Sequence, residues 1–346
     1  MKTKRYIVNP TVNIVSVDDD STAIISSRKR FCIKGDKMSV AIQAILKHFN
    51  VPACFDDVMS SLSNKYSNAS LTKLLGLMVD KEIVVDEQEA SAITNMNPDL
   101  LGKVLFYTSG GKGLQETIKL LTPLNIGLIG TNQLVGNLLH EFESGSLIHN
   151  FHIAVTDSDI AIKPTNDYTQ VSNYPLDIAS AYIDNIVNAS DIVIAAFNFH
   201  DNYLLEKINQ ACFEQGKKWL RVIVDGIIAE IGPLFIPDET CCYTCLQTRK
   251  SRNAVKDEYI FDNLLADKHH HESSCNKKSV FASFYPANNL AASITTAELM
   301  KHLTGMQCNI NSQVISVNCQ DFHMLTHYIF KDYQCPVCSK NGMVSL

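Results

Sequence analysis

The sequence predicts an α/β protein in two parts, and three observations predict it. Short strand patterns and amphipathic helix patterns share residues 1–90. From Leu124 onward, buried-type strands alternate with helices. Two Cys-x-x-Cys pairs, Cys242/Cys245 and Cys335/Cys338, tie the middle of that second part to the far end of the chain.

The first part is justified element by element. Residues 11–17 alternate apolar and polar side chains, the period of a half-buried strand. Asp18-Asp19-Asp20-Ser21 is a turn, and residues 22–27 and 29–33 read as two further strands. Met38, Ile42, Ile45 and Leu46 recur at helical spacing. Residues 56–62 and 70–79 make a second and a third helix, the last with Leu71, Leu74, Leu75 and Met78 on one face. Residues 82–85 read as a closing strand. Together they predict a small winged-helix-like domain at 1–90.

Residues 91–122 are read as a connector, with a flexible turn at Ser109-Gly110-Gly111-Lys112-Gly113 and a strand near 103–107. The domain at 123–346 follows. Strands are expected at 125–130, 151–156, 191–196 and 219–224, and helices at 133–142, 178–187 and 203–215. Such alternation implies a parallel, Rossmann-type sheet covered on both faces. The end differs, with an apolar helix at 289–303 and strands at 313–317 and 324–330.

Composition narrows the function classes. Of 346 residues, 46% are apolar and 19% charged, so a substantial core is feasible. The net charge of −6 is spread along the chain, which argues against a nucleic-acid binder. A local basic patch, Arg28-Lys29-Arg30, suits an acidic partner. No apolar run reaches the roughly 18 residues a membrane helix needs. The basic start, Met1 to Tyr6, lacks the apolar core of a secretory signal, so a cytoplasmic protein is expected. Eleven scattered cysteines suit metal ligation or burial better than a disulfide framework. Burial is expected for Cys32, Cys54, Cys212, Cys308 and Cys319.

The paired cysteines carry the sharpest chemistry. Each spacing lets two thiolates from one tight turn reach one ion, and two turns complete a tetrahedral site with Zn–S distances of about 2.3 Å. Four thiolates leave no open position, so Cys242, Cys245, Cys335 and Cys338 are expected to hold a structural Zn2+. The alternative is two reduced pairs or a redox dithiol, which usually opens a helix after a strand.

A second motif follows the first strand of the α/β domain. Gly130 opens it, but Asn132 and Val135 stand where G-x-G-x-x-G needs glycine, and Gly136 comes one position late. Side chains at those positions are expected to hinder a phosphate, leaving an ordinary strand–helix turn. Asp157, after the second strand, stands where an acidic residue accepts hydrogen bonds from a ribose, or is simply a polar loop residue. His269-His270-His271, with Glu272 and Cys275 nearby, is either a metal-binding tract or a solvated loop.

These residues resemble a family. Ile231-Gly232-Pro233-Leu234-Phe235-Ile236-Pro237 running into Cys242-Tyr243-Thr244-Cys245, then Phe284-Tyr285-Pro286-Ala287-Asn288-Asn289-Leu290-Ala291-Ala292, then the closing cysteine pair, is similar to ThiF-like, ubiquitin-activating-type proteins that work on ribosomally made peptides. The resemblance covers about residues 124–340. The first domain resembles the leader-peptide recognition domain of such maturation systems. There the resemblance implies that a leader strand adds beside the third strand and lies against the third helix. In this sequence that groove is Lys29, Arg30, Phe31, Cys32 and Ile33 with Leu71, Leu74, Leu75 and Met78, and the physics is β-augmentation.

Departures from the family carry equal weight. The glycines are displaced, residues 160–170 hold no arginine, and Asp201 comes late after the third strand. Adenylyl transfer depends on positioned cations and backbone donors around the phosphates. No catalytic residue is therefore assigned, and ATP is not expected as a cofactor. The combination resembles partner proteins of YcaO-type cyclodehydratases, which make thiazolines and oxazolines in bacteriocin precursors (thiazole/oxazole-modified microcins). It implies a non-catalytic subunit that binds the leader and presents the core peptide. A flavin dehydrogenase and a second copy of the chain, as homodimer, complete the implied partners. The rival expectation is an active adenylyltransferase acting on a peptide C-terminus.

Overall fold

The computed structural model describes residues 4–26, 29–96, 98–110, 113–156, 161–175, 181–253 and 284–339. Asp157, the histidine run and Cys275 lie outside the described residues. The chain divides into two compact units, Met1–Ile118 and Lys119–Leu346.

In the first unit, β2 (Asn13–Ser16), β3 (Ser21–Ile25) and β4 (Arg30–Lys34) form an antiparallel sheet in the order β2-β3-β4. A short strand the sequence reading missed, β1 (Tyr6–Val8), pairs with β5 (Val84–Asp86). Three helices pack between: α1 (Met38–Leu46), α2 (Phe55–Leu62) and α3 (Asn68–Asp80). The Ser67 hydroxyl caps α3 by accepting from the Ser70 N–H at 3.2 Å, as N-cap serines do. Ile24, Ile42, Ile45, Phe49, Val58, Leu71, Leu75 and Met78 fill one core.

That core corrects part of the groove assignment. Leu71, Leu75 and Met78 are almost wholly buried inside the unit, so they pack inward and line no open surface. Leu74 is half-buried at the core's rim. The physical reason is that one helix face cannot serve two partners, and α2, β5 and the rest of this unit's core have taken it.

The connector is also more regular than expected. It holds α4 (Glu87–Thr94), α5 (Pro98–Leu105) and α6 (Leu114–Leu121). Where a strand was expected near 103–107, α5 runs instead, with Val104 buried. A short apolar run does not separate strand from helix by itself.

The second unit is an eight-stranded sheet ordered β13-β12-β11-β10-β9-β6-β7-β8. Its parallel half is β6 (Asn125–Gly130), β7 (Asn150–Val155), β8 (Gln170–Pro175), β9 (Ile192–Phe197) and β10 (Lys218–Asp225). The continuous apolar runs of β6 and β9 are what doubly covered parallel strands require. Beyond β10 the sheet turns antiparallel through β11 (Ile228–Phe235), β12 (Gln313–Asn318) and β13 (His323–Tyr328). The strand–helix alternation ends here, as the differing end of the sequence indicated, and the β10–β11 and β12–β13 hairpins are too short for a crossover.

On one face, α8 (Ala181–Ala189), α9 (Asn202–Glu214) and α10 (Tyr243–Asn253) share a core with Trp219, Ile223 and Phe235. On the other, α7 (Asn132–Gly145) packs against α11 (Tyr285–Thr304). No helix among the described residues is long and apolar enough to cross a membrane.

Candidate functional site

The structure brings the four predicted cysteines together. Cys242 immediately precedes α10 and Cys245 lies in its first turn, while Cys335 and Cys338 sit on a turn beyond β13. The sulfurs all lie within 4.8 Å of one another. Cys242 Sγ is 3.5 Å from Cys335 Sγ and 3.9 Å from Cys245 Sγ, and Cys245 Sγ is 3.4 Å from Cys338 Sγ. Disulfide sulfurs would be about 2.05 Å apart. Sulfurs around a tetrahedral ion at about 2.3 Å stand roughly 3.8 Å apart. The donor set therefore fits a metal ion. The Asp332 N–H points at Cys245 Sγ at 3.4 Å, an outer bond of the kind that orients a ligand.

Helix opening does not distinguish this site from a redox dithiol, since Cys242 and Cys245 do open α10. What separates them is the convergence of four buried sulfurs. A fifth buried cysteine, Cys241, adjoins the cluster without joining it, and burial pushes its thiol up to about 12. Of the cysteines expected to be buried, Cys212, Cys308 and Cys319 are, Cys54 is half-buried, and Cys32 is exposed. Cys32 alternates on an edge strand whose solvent face takes it.

The order of the parallel strands reverses between β6 and β9, and crevices for ligands form at such reversals. Gly130 ends β6 there. A Cβ on it would lie 1.6 Å from the Ala196 carbonyl oxygen, so strand packing already demands glycine. Val135 is fully buried in α7 and faces the core, so it does not obstruct the crevice as expected. Gly136 has open space around it. A hydrogen-bond chain spans this switch point. The Thr131 hydroxyl donates to Asn198 Oδ1 at 2.6 Å, and Asn198 Nδ2 donates to Asn288 Oδ1 at 2.6 Å. Next to it, Asn137 Nδ2 donates to Asn289 Oδ1 at 2.8 Å, locking α11 to α7. Asp201 is committed locally, capping α9 by accepting from the Leu204 N–H at 3.0 Å.

Sequence reasoning missed a buried charge cluster on the opposite face. Arg221 is 1% exposed in mid-strand β10, and its Nη2 meets Glu230 Oε2 at 2.6 Å. Lys250 Nζ reaches the same carboxylate at 3.1 Å from α10. A charged residue inside the run Trp219-Leu220-Arg221-Val222-Ile223-Val224 was the available signal. Burial would raise the Glu230 carboxyl, but Arg221 and Lys250 outweigh it and hold it below the usual carboxylate range. Burial, reinforced by Arg221 and Lys250, pushes His200 down to about 3. Arg221 Nη1 also donates to the Gly232 carbonyl at 3.4 Å, where the β10–β11 register shifts.

In the first unit, β4 is an edge strand, paired only with β3 among the described residues. Ser26 N–Lys29 O and Gly35 N–Asp20 O bonds, each 2.9 Å, mark two hydrogen-bonded pairs that bound the β3–β4 hairpin. Alternation between them makes Ile24↔Phe31 and Thr22↔Ile33 the bonded pairs. Arg30, Cys32 and Lys34 therefore direct N–H and C=O groups to the open edge. Their side chains are exposed, while Phe31 and Ile33 are half-buried against the core. Lys29, just before β4, reaches Glu82 at 3.9 Å.

Comparison with known proteins places these features. The ThiF family model matches residues 158–337, just over half the chain. Protein HesA of Leptolyngbya boryana is 23% identical over 185 residues, 53% of this chain and 54% of that protein. HesA of Nostoc sp. is likewise 23% identical over 185 residues, 59% of its length. The chain thus spans little more than half the length of the curated relatives it matches. Among solved structures, E. coli MccB superposes with a TM-score of 0.73 at 15% identity, covering 99% of this chain and 98% of that one. The microcin C7 biosynthetic enzyme MccB in complex with N-formylated MccA gives 0.71 at 15% identity, covering 97% of this chain and 100% of that one. The heterocyclase TruD gives 0.62 at 15% identity, covering 97% of this chain and 43% of that one. At these identities the likeness is one of fold.

Proposed function

From the premise that this chain belongs to the ThiF family, we propose that it is a peptide-binding subunit in the maturation of a ribosomally made peptide. The first unit binds the precursor's leader as an added strand on β4. The second unit is a scaffold stapled by Zn2+ at Cys242, Cys245, Cys335 and Cys338, and it does no adenylation of its own. A YcaO-type cyclodehydratase carries out the ring-forming chemistry on the presented core peptide. Tethering the leader raises the core's effective concentration at that partner's active site.

The observation that carries this reading is the open β4 edge, three outward backbone positions long, beside half-buried Phe31 and Ile33. Main-chain bonds along such an edge supply affinity without prescribing a sequence. The likeness to MccB bound to MccA and to the heterocyclase TruD supports a peptide substrate and a heterocycle-forming system. The Thr131–Asn198–Asn288 chain supports a silent second unit, because it satisfies polar groups that would otherwise await a ligand.

A second reading draws on the likeness to MccB with ATP, at a TM-score of 0.70: an active adenylyltransferase. ATP–pyrophosphate exchange by the purified full chain, with zinc bound, separates the two. No exchange above the protein-free control is expected. Exchange that depends on added peptide would replace the silent scaffold with an enzyme.

A further inference from the structure

We infer that the strand docked on β4 carries two acidic side chains four residues apart with apolar residues between them, in the pattern acid–apolar–any–apolar–acid. The inference rests on the strand-docking reading and names the chemistry of its occupant.

The argument starts from which atoms face outward. Arg30, Cys32 and Lys34 present backbone groups to the open edge, so an incoming strand pairs residue by residue with those three. Paired residues place their side chains on the same face of the sheet. The residues opposite Arg30 and Lys34 therefore share the exposed face with a guanidinium and an ammonium group. Neither cation has an ion-pair partner among the described residues. The Ser21 hydroxyl, with nearby N–H groups and Lys34, lowers the carboxyl of Asp18 on the β2–β3 turn, where Asp18 Oδ1 accepts from the Ser21 hydroxyl at 2.6 Å. Lys29 is engaged with Glu82, and exposed Lys81 lies nearby. The strand itself thus carries a cation at each end of its open edge, with the Asp18–Asp20 turn bordering the Lys34 end. The intervening residues of the incoming strand fall on the face of half-buried Phe31 and Ile33, where apolar side chains continue the core. Cys32, between the cations, selects only for size.

The pattern reads the same in both directions, so it holds for parallel and antiparallel docking. Positive charges also guard an edge against self-pairing. That role predicts indifference to the charge of a bound peptide, whereas docking specificity does not.

The test uses synthetic peptides with Glu-Val-Ser-Val-Glu between flexible flanks, fluorescently labelled, and the full zinc-bound chain. Gln and Lys replace the two Glu residues in control peptides. By anisotropy, the Glu peptide should bind about tenfold more tightly than the Gln peptide at low salt, as expected for two exposed pairs. The gap should close at high salt. Arg30→Glu/Lys34→Glu should invert the order in favour of the Lys peptide while circular dichroism and zinc content stay unchanged. In antiparallel docking, N-methylation of the central Ser, which faces Cys32, should abolish binding and N-methylation of a neighbouring Val should not; in parallel docking, where Cys32 bonds to the residues flanking the one opposite it, the two outcomes exchange. Equal binding by all three peptides with either N-methyl pattern intact would overturn the charge pattern and leave strand docking standing. No binding by any of them, or binding indifferent to every N-methyl group, would overturn the docking reading itself.

Discussion

His200, between β9 and α9, has Arg221, Lys250 and Glu230 around it, and burial sets its charge. Its imidazole is pushed down to about 3, so the folded protein keeps it neutral at any ordinary pH. The unfolded chain takes up that proton near 6.5. Between these values the unfolded state binds more protons, so stability falls as pH drops, by up to about 1.4 kcal/mol per unit. Urea denaturation should show the wild-type chain losing about 2 kcal/mol between pH 6.5 and pH 5 beyond what His200→Gln loses. Metal release at low pH weakens both chains alike, so the difference isolates the imidazole. Parallel pH profiles for the two would remove His200 from the account. At the same scale, Gly232 is required by geometry. It has φ 99°, and a Cβ there would meet the Gln313 carbonyl oxygen at 2.3 Å.

At the scale of elements, the β10–β11 hairpin and α10 are held by one buried carboxylate. The register shift at Gly232-Pro233 puts an extra residue in β11 opposite Arg221, and bulges re-aim side chains in this way. Glu230 then receives Arg221 from its own hairpin and Lys250 from α10. Removing one partner of such a set leaves a buried charge unmatched. Glu230→Leu should destabilise the chain by roughly 2–4 kcal/mol, allowing for its partial exposure. Arg221→Met combined with Glu230→Leu should recover most of that, because both charges then leave together. Thermal denaturation of the two variants checks it. A double variant as unstable as the single one would mean that packing, and not charge, dominates there.

At the scale of the whole molecule, the four-sulfur cluster joins positions about 90 residues apart in the chain. Structural zinc sites of this kind contribute about 10–16 kcal/mol of apparent binding free energy. The purified chain should hold one zinc ion by atomic absorption. Chelation together with Cys245→Ser should release it and lower Tm by more than about 10 °C. The shift should be read in the second unit, as faster hydrogen exchange along β13 and α10. A chain that binds no zinc and melts unchanged would return the cysteines to plain burial.

Much of this protein was legible as a sequence. Apolar runs at 125–130 and 191–196 announce parallel strands because a doubly covered strand has no polar face to show. The cysteine pairs announce a four-thiol cluster that fits a metal, because their spacing is a local property of a tight turn. The segments Ile231 to Pro237 and Phe284 to Ala292 pointed to the family for the same reason, as short local signatures. Other features depend on which surfaces meet, and only the tertiary structure decided them. It spent Leu71, Leu75 and Met78 on the core and turned Val135 inward. It also gathered Arg221, Glu230, Lys250 and His200 from four separate segments. Helical periodicity says that a face is apolar but not what covers it. The four cysteines share both conditions: spacing makes each pair, and only the closure of the segment after β13 against α10 brings the two pairs within reach of one ion.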